Sequence, residues 1–146
     1  MVEIAEYTEK KIDYIKGFRT TEFEIKNNLD AVSHSACSLA VDLKAKSIVV
    51  NSISGVTARM VSRFRCPVDI MGATTCEKVW RKLNLSWGVT PVMCEQFSSI
   101  EVMFYSAMKL VKEVYNLKKG DGVVLTGGQI NGKSWNTNTI KIEQVN

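Results

Sequence analysis

Two stretches hold the residues whose types and spacing could do chemistry. At 52–57, SISGVT sets Ser52, Ser54 and Thr57 around Gly55, where an apolar run ends and a helical pattern begins. A glycine lets the backbone turn tightly there. The first N–H groups of the following helix lack intrahelical partners and carry the positive end of its dipole, so the junction suits an anion. Hydroxyls on Ser52, Ser54 and Thr57, beside the backbone of Gly55 and Val56, would add neutral donors that a phosphate can share. The plain alternative is that Ser54 caps the helix and Gly55 relieves a turn. The second stretch, GGQINGKSWNTNT, gathers Gly127, Gly128, Asn131, Gly132, Lys133, Ser134 and Trp135. A connection this long between adjacent strands is unusual without a task, and its composition suits a flap over a polar ligand. Its alternative is an ordinary long hairpin loop.

Other residues offer less. The single histidine, His34, falls on a helical pattern between small residues, with no Cys, Asp or second His at ligand spacing, so neither a metal site nor a general base is expected. Asp42, Asp69 and Asp121 stand alone, and Asp121 suits the KKGDG turn. Trp80, Trp87, Met60 and Met71 read as core or interface. Cys37, Cys66, Cys76 and Cys94 form no C-x-x-C pair and are expected as reduced, mostly buried thiols. Only Cys76, near a helix start, has a reason for a lowered pKa.

The elements that must position these residues follow from periodicity. Ile4, Tyr7, Lys11 and Tyr14 share a helical stripe that breaks at Gly17. A helix over 28–45 puts Val32, Ala36, Leu39, Ala40 and Leu43 on one face, with Asn27 or Asn28 as its cap. KSIVVN is β-branched and continuously apolar, as a strand covered on both faces should be. VTARMVSRF turns helical, with Val56, Met60 and Phe64 inward and Arg59, Ser62 and Arg63 outward. PVDIMGA and GVTPVMC are further strands. Thr74 with Glu77, and Ser98 with Glu101, read as capping boxes opening two more helices. GVVLT is the fourth strand, and TIKIEQV alternates as an edge strand does.

Alternating strands and helices with short connections predict an α/β, three-layer αβα sandwich. Its mostly parallel sheet has about five strands and an antiparallel last edge strand. One domain is expected over 1–146, with a helical lead-in at 1–26 and the α/β unit at 27–146. In such sheets ligands gather at the carboxyl ends of the strands, where the two polar stretches fall. The chain has 146 residues, 45% of them hydrophobic and 23% charged, which suits a folded soluble protein. The net charge of +4 is scattered rather than clustered, giving no expectation of nucleic-acid binding. Short apolar runs and a charged amphipathic start predict no membrane span, no signal peptide and a cytoplasmic location.

The series SIVVNSISGVTARMVSRFRCPVDIMGAT, LNLSWGVTPV, KKGDGVVLTGG and TNTIKI closely resembles the carboxyl-terminal domain of pyruvate kinase, in order and spacing across nearly the whole chain. The opening MVEIAEYTEKKIDY is similar to the helix leading from that enzyme's catalytic barrel. The resemblance implies an allosteric domain that binds phosphorylated effectors such as fructose 1,6-bisphosphate and forms a subunit interface, so a homo-oligomer is expected. It places the phosphate loop at Ser52, Ile53, Ser54, Gly55, Val56 and Thr57 and the flap at Gly127 through Thr137. Phosphoryl transfer, with magnesium and potassium, lies in a barrel that no segment here resembles, so no catalysis and no cofactor are expected of this chain alone.

Two departures bear on the ligand. Members that respond to fructose bisphosphate carry a basic residue where this chain has Ile53, and an arginine for the second phosphate where it has Met103. Each lost charge-assisted contact costs about 1.5 to 3 kcal/mol, so a monophosphate, or nothing, is expected over the bisphosphate. The alternatives are a packing module that keeps the fold and has lost the ligand, and an independent enzyme using a nucleophile such as Cys76.

Overall fold

The computed structural model describes residues 1–128 and 137–146. Two short helices, α1 (Val2–Glu9) and α2 (Tyr14–Thr20), precede α3 (Asn28–Asp42). Strand and helix then alternate through β1 (Ser47–Asn51), α4 (Val56–Arg63), β2 (Asp69–Thr74), α5 (Glu77–Leu83), β3 (Val89–Met93), α6 (Ile100–Tyr115) and β4 (Gly122–Gly128), and the chain closes with β5 (Thr137–Gln144). The sheet order is β3-β2-β1-β4-β5. β1 to β4 run parallel, and β5 lies antiparallel at the edge.

β1 shows why the layers form. Ile48, Val49 and Val50 are fully buried. Their alternation sends Ile48 and Val50 toward Ala36, Cys37 and Ala40 of α3, Ala58 and Val61 of α4, and Leu83 of α5. Val49 faces Met103, Phe104, Ala107, Met108 and Val111 of α6 on the other side. Each such side chain contributes roughly 1.5 to 3 kcal/mol of burial. The αβα sandwich expected from the sequence is the observed one.

Several local expectations are corrected. The helical break lies at residues 10–13 rather than at Gly17, because the Asp13 carboxylate accepts the Lys16 N–H and starts a new helix through the glycine. α3 stops at Asp42. Lys44 turns left-handed at φ 52° and the Ala45 N–H reaches back to Ala40 O at 2.9 Å, which leaves Leu43 exposed. Its buried face is Leu29, Ser33, Ala36, Cys37 and Ala40, with Asn27 as the cap. Ser62 faces inward, donating to Trp87 O at 2.7 Å, and Met60 is only half-buried. Neither capping box forms: Thr74 is the last residue of β2, α5 starts at Glu77 with Cys76 as an N-cap that makes no side-chain bond, and Ser99, not Ser98, caps α6.

Candidate functional site

From β1 the chain winds outward through β2 and β3, then returns by way of α6 to β4 on the other side of β1. The carboxyl ends of β1 and β4 therefore flank the point where the winding reverses, the place such sheets open a crevice for ligands. Asn51 Nδ2 ties the two ends together by donating to Thr126 O at 3.2 Å.

The 52–57 loop sits at that end of β1. Its strand-side half is pinned to β2: Ser52 N–H donates to Ala73 O at 2.9 Å, and Thr74 Oγ1 donates to Ile53 O at 3.3 Å. Ser52 Oγ accepts the Gly55 N–H at 3.0 Å. Gly55 is left-handed at φ 73° and forms the N-cap of α4 with no side-chain cap. α1 and α5 likewise lack a side-chain cap, whereas α2, α3 and α6 are each capped by a side-chain oxygen. Ser54 and Ser52 are half-buried, Val56 is buried, and Thr57 is only 2% exposed. Thr57 Oγ1 is hydrogen-bonded to Thr137 Oγ1 at 2.8 Å, at the root of β5. Thr57, expected to offer its hydroxyl to a ligand, is thus turned inward. Of the loop's three hydroxyls, that of half-buried Ser54 makes no hydrogen bond to another described residue.

Gly127 and Gly128, expected in the flap, are the last residues of β4, paired with Thr139 and Thr137. Gly127 leaves room for Met103, whose methyl tip, with the Phe104 ring edge, fills the space a Cβ would take. Asn131, Gly132, Lys133, Ser134 and Trp135 lie outside the described residues. Sequence reasoning missed the role of Asn51, and it placed Thr137 only as the end of the flap. Thr74 was legible only as a cap, and the pairing of Thr57 with Thr137 has no local signal because 80 residues separate them.

The other candidates settle elsewhere. His34 packs among the Phe18, Phe23 and Phe64 rings at centroid distances of 5.3, 5.6 and 5.2 Å. A cavity of about 300 Å³ between α2 and α3, lined in part by Phe18, Phe23 and His34, shares no residue with the loop. Asp121 accepts the Lys118 N–H at 2.8 Å and closes its turn. Cys37 and Cys66 are fully buried, and contact with Cys66 together with burial pushes the Cys37 thiol well up. Cys76 and Cys94 are half-buried, and burial raises Cys94. Among the described residues, no helix is long and apolar enough to cross a membrane.

The family model described as "Pyruvate kinase, alpha/beta domain" matches residues 30–143. The chain belongs to the pyruvate kinase alpha/beta domain family. It is 35% identical over 146 residues to a pyruvate kinase of Clostridium acetobutylicum, covering 99% of this chain and 31% of that protein. A pyruvate kinase of Thermotoga maritima is 36% identical over 143 residues, covering 98% of this chain and 30% of its own length. One from Lactobacillus delbrueckii subsp. bulgaricus is 34% identical, with 98% of this chain and 25% of the relative covered. The chain therefore spans between a quarter and a third of these pyruvate kinases. Within this family fold the two departures sit differently: Ile53 is 49% exposed at the loop, whereas Met103 is 8% exposed and packed against β4.

Proposed function

We propose that this chain is the regulatory, effector-binding and assembly domain of a cytoplasmic pyruvate kinase, and that it takes the phosphate of a phosphorylated metabolite at residues 52–57. Phosphoryl transfer, with its magnesium and potassium, belongs in this reading to a catalytic barrel outside the chain. The observation that carries it is the start of α4, where a left-handed Gly55 opens the helix beside the reversal point of the sheet and leaves its first amides without a side-chain cap.

The effector's far end is uncharged in this reading. Ile53 supplies no cation, and Met103 places a methyl beside Gly127 rather than a guanidinium. A monophosphate suits that chemistry better than a bisphosphate. Exposed Val102, Tyr105 and Val114 on α6 and Ile142 on β5 support an assembly role.

A second reading, a packing module without a ligand, is favoured by one observation: the Thr57 and Ser52 hydroxyls are already engaged within the protein. Calorimetric titration of the chain with glucose 6-phosphate, ribose 5-phosphate, AMP and fructose 1,6-bisphosphate separates the two. The regulatory reading expects heat with a monophosphate, lost in Thr57→Ala, and a gain in stability of about 2.7 kcal/mol at a hundred times Kd. No heat with any of the four would leave the packing module.

A further inference from the structure

The hydroxyl pair that removes Thr57 from solvent points to a second role for β5. We infer that Thr137 is a positioning residue that acts through Thr57 and couples the 52–57 loop to the edge strand β5. Taking that loop as the phosphate site proposed above, β5 then responds to what the loop holds.

Thr57 is in the first turn of α4 and Thr137 is the first residue of β5, and their hydroxyl oxygens lie 2.8 Å apart. At 2% and 8% exposure, neither hydroxyl has water as a ready substitute. Breaking the pair would leave a buried polar group unsatisfied, which is the expensive side of hydrogen bonding. A threonine hydroxyl has one proton to give and two lone pairs with which to accept. With the loop empty, either residue can be the donor. The bond ties Thr57, and with it the first turn of α4, to the root of β5. An anion held by the backbone of that turn stiffens it, and the hydroxyl pair carries the change to β5 without Thr57 touching the ligand.

Thr137 is also where such a bond has most to hold. It pairs with Gly128 while Thr139 pairs with Gly127, so the register of the β4–β5 ladder slips by one residue at this root. Among the described residues β5 has a ladder partner on one side only, so contacts from outside the sheet matter at its first residue. Thr57 supplies one.

Residue-resolved hydrogen exchange on the full chain tests the coupling, using Thr137→Val, which keeps the shape without the hydroxyl, and Thr137→Ser, which keeps the hydroxyl. In the valine variant, exchange is expected to quicken about fivefold or more both along β5 and at the Arg59 amide, which closes the first turn of α4 on Gly55 O. Serine is expected to restore both. Thr57→Val should reproduce the pattern, and the double variant should add little, as for two halves of one contact. Quickening confined to β5, with Arg59 unchanged, would overturn the coupling.

Inorganic phosphate and AMP then probe the loaded loop. Phosphate is expected to slow β5 exchange in the parent chain and to bind about tenfold more weakly to Thr137→Val, with Thr137→Ser restored. Equal binding by the valine variant would overturn the positioning role. If the parent chain binds neither probe, the phosphate-site reading fails on its own, and the Arg59 and β5 amides still decide whether Thr137 couples loop to strand.

Discussion

Gly55 lies so close under α5 that a Cβ built on it would come within 2.7 Å of Val79 Cγ1 and 3.2 Å of Leu83 Cδ2. The same residue is left-handed at φ 73°. Two separate penalties therefore act on any side chain there: a left-handed residue with a Cβ costs about 1 to 2 kcal/mol, and overfilling a packed contact about 1 to 3. Gly55→Ala is expected to lower unfolding free energy in urea by roughly 2 kcal/mol or more. A loss below about 0.5 kcal/mol, within the range of ordinary surface changes, would mean that the loop rearranges freely.

Stability should fall in alkali, where burial raises the Cys94 thiol and the Tyr115 phenol, and contact with Cys66 together with burial raises the Cys37 thiol. Burial raises the Cys94 thiol above its ordinary value of about 8.5. Burial likewise raises the Tyr115 phenol above its ordinary value of about 10, opposed by Thr90 and aided by the negative charge of Asp69. In each case the unfolded chain releases its proton first, so above the unfolded pKa the unfolded state binds fewer protons and stability declines with rising pH. The urea midpoint is expected to fall between about pH 8.5 and 11. Cys94→Ala should lessen the earlier part of that fall, to which the Cys37 thiol also contributes, and Tyr115→Phe the later part. The Tyr115 hydroxyl is buried without a partner at hydrogen-bonding geometry, so its removal should cost nothing at pH 7. A flat midpoint in the parent chain would contradict both shifts.

Charge at the loop should be gained more easily than charge beneath it. Ile53 is half-exposed, so Ile53→Arg can place a guanidinium beside a bound phosphate and is expected to tighten phosphate binding by about tenfold or more. Met103→Arg would drive a cation into the packing of α6 on β4 and is expected to lower stability instead. The pair is read by titration and by urea unfolding on the same preparations. A stable Met103→Arg chain that gains affinity for a bisphosphate would contradict the placement of Met103.

Assembly through the exposed α6 face predicts a concentration-dependent mass in sedimentation, with Tyr105→Lys shifting the chain toward monomer. Tyr105 is among the most exposed of the large apolar side chains and shares one face of α6 with exposed Val102 a turn away, while exposed Val114 lies on the opposite side of the helix. A monomeric mass at all concentrations would remove the assembly role from this chain.

The layers of the fold are legible because they depend on local pattern: SIVV suits a strand covered on both faces, and β1, β2 and β3 are each followed by a helix after a short connection. Helix faces and caps were less legible. Ser62 reads as a solvent residue in the sequence, yet its hydroxyl donates to Trp87 O, 25 residues away. Thr74 carried the right spacing for a cap, yet the sheet keeps it in β2, where it holds Ile53 O. The loop itself could be read from Gly55 and its hydroxyls. That Thr57 faces Thr137 could not, because the contact is made by strand order rather than by neighbours in sequence.

The most direct test is a pair of amide nitrogen–proton spectra of the isotopically labelled chain, without ligand and with AMP. The phosphate-site reading predicts that the largest shifts fall on Ser54, Gly55, Val56 and Thr57, with smaller ones along β5. Shifts centred elsewhere, or none at ligand concentrations able to register millimolar binding, would contradict it.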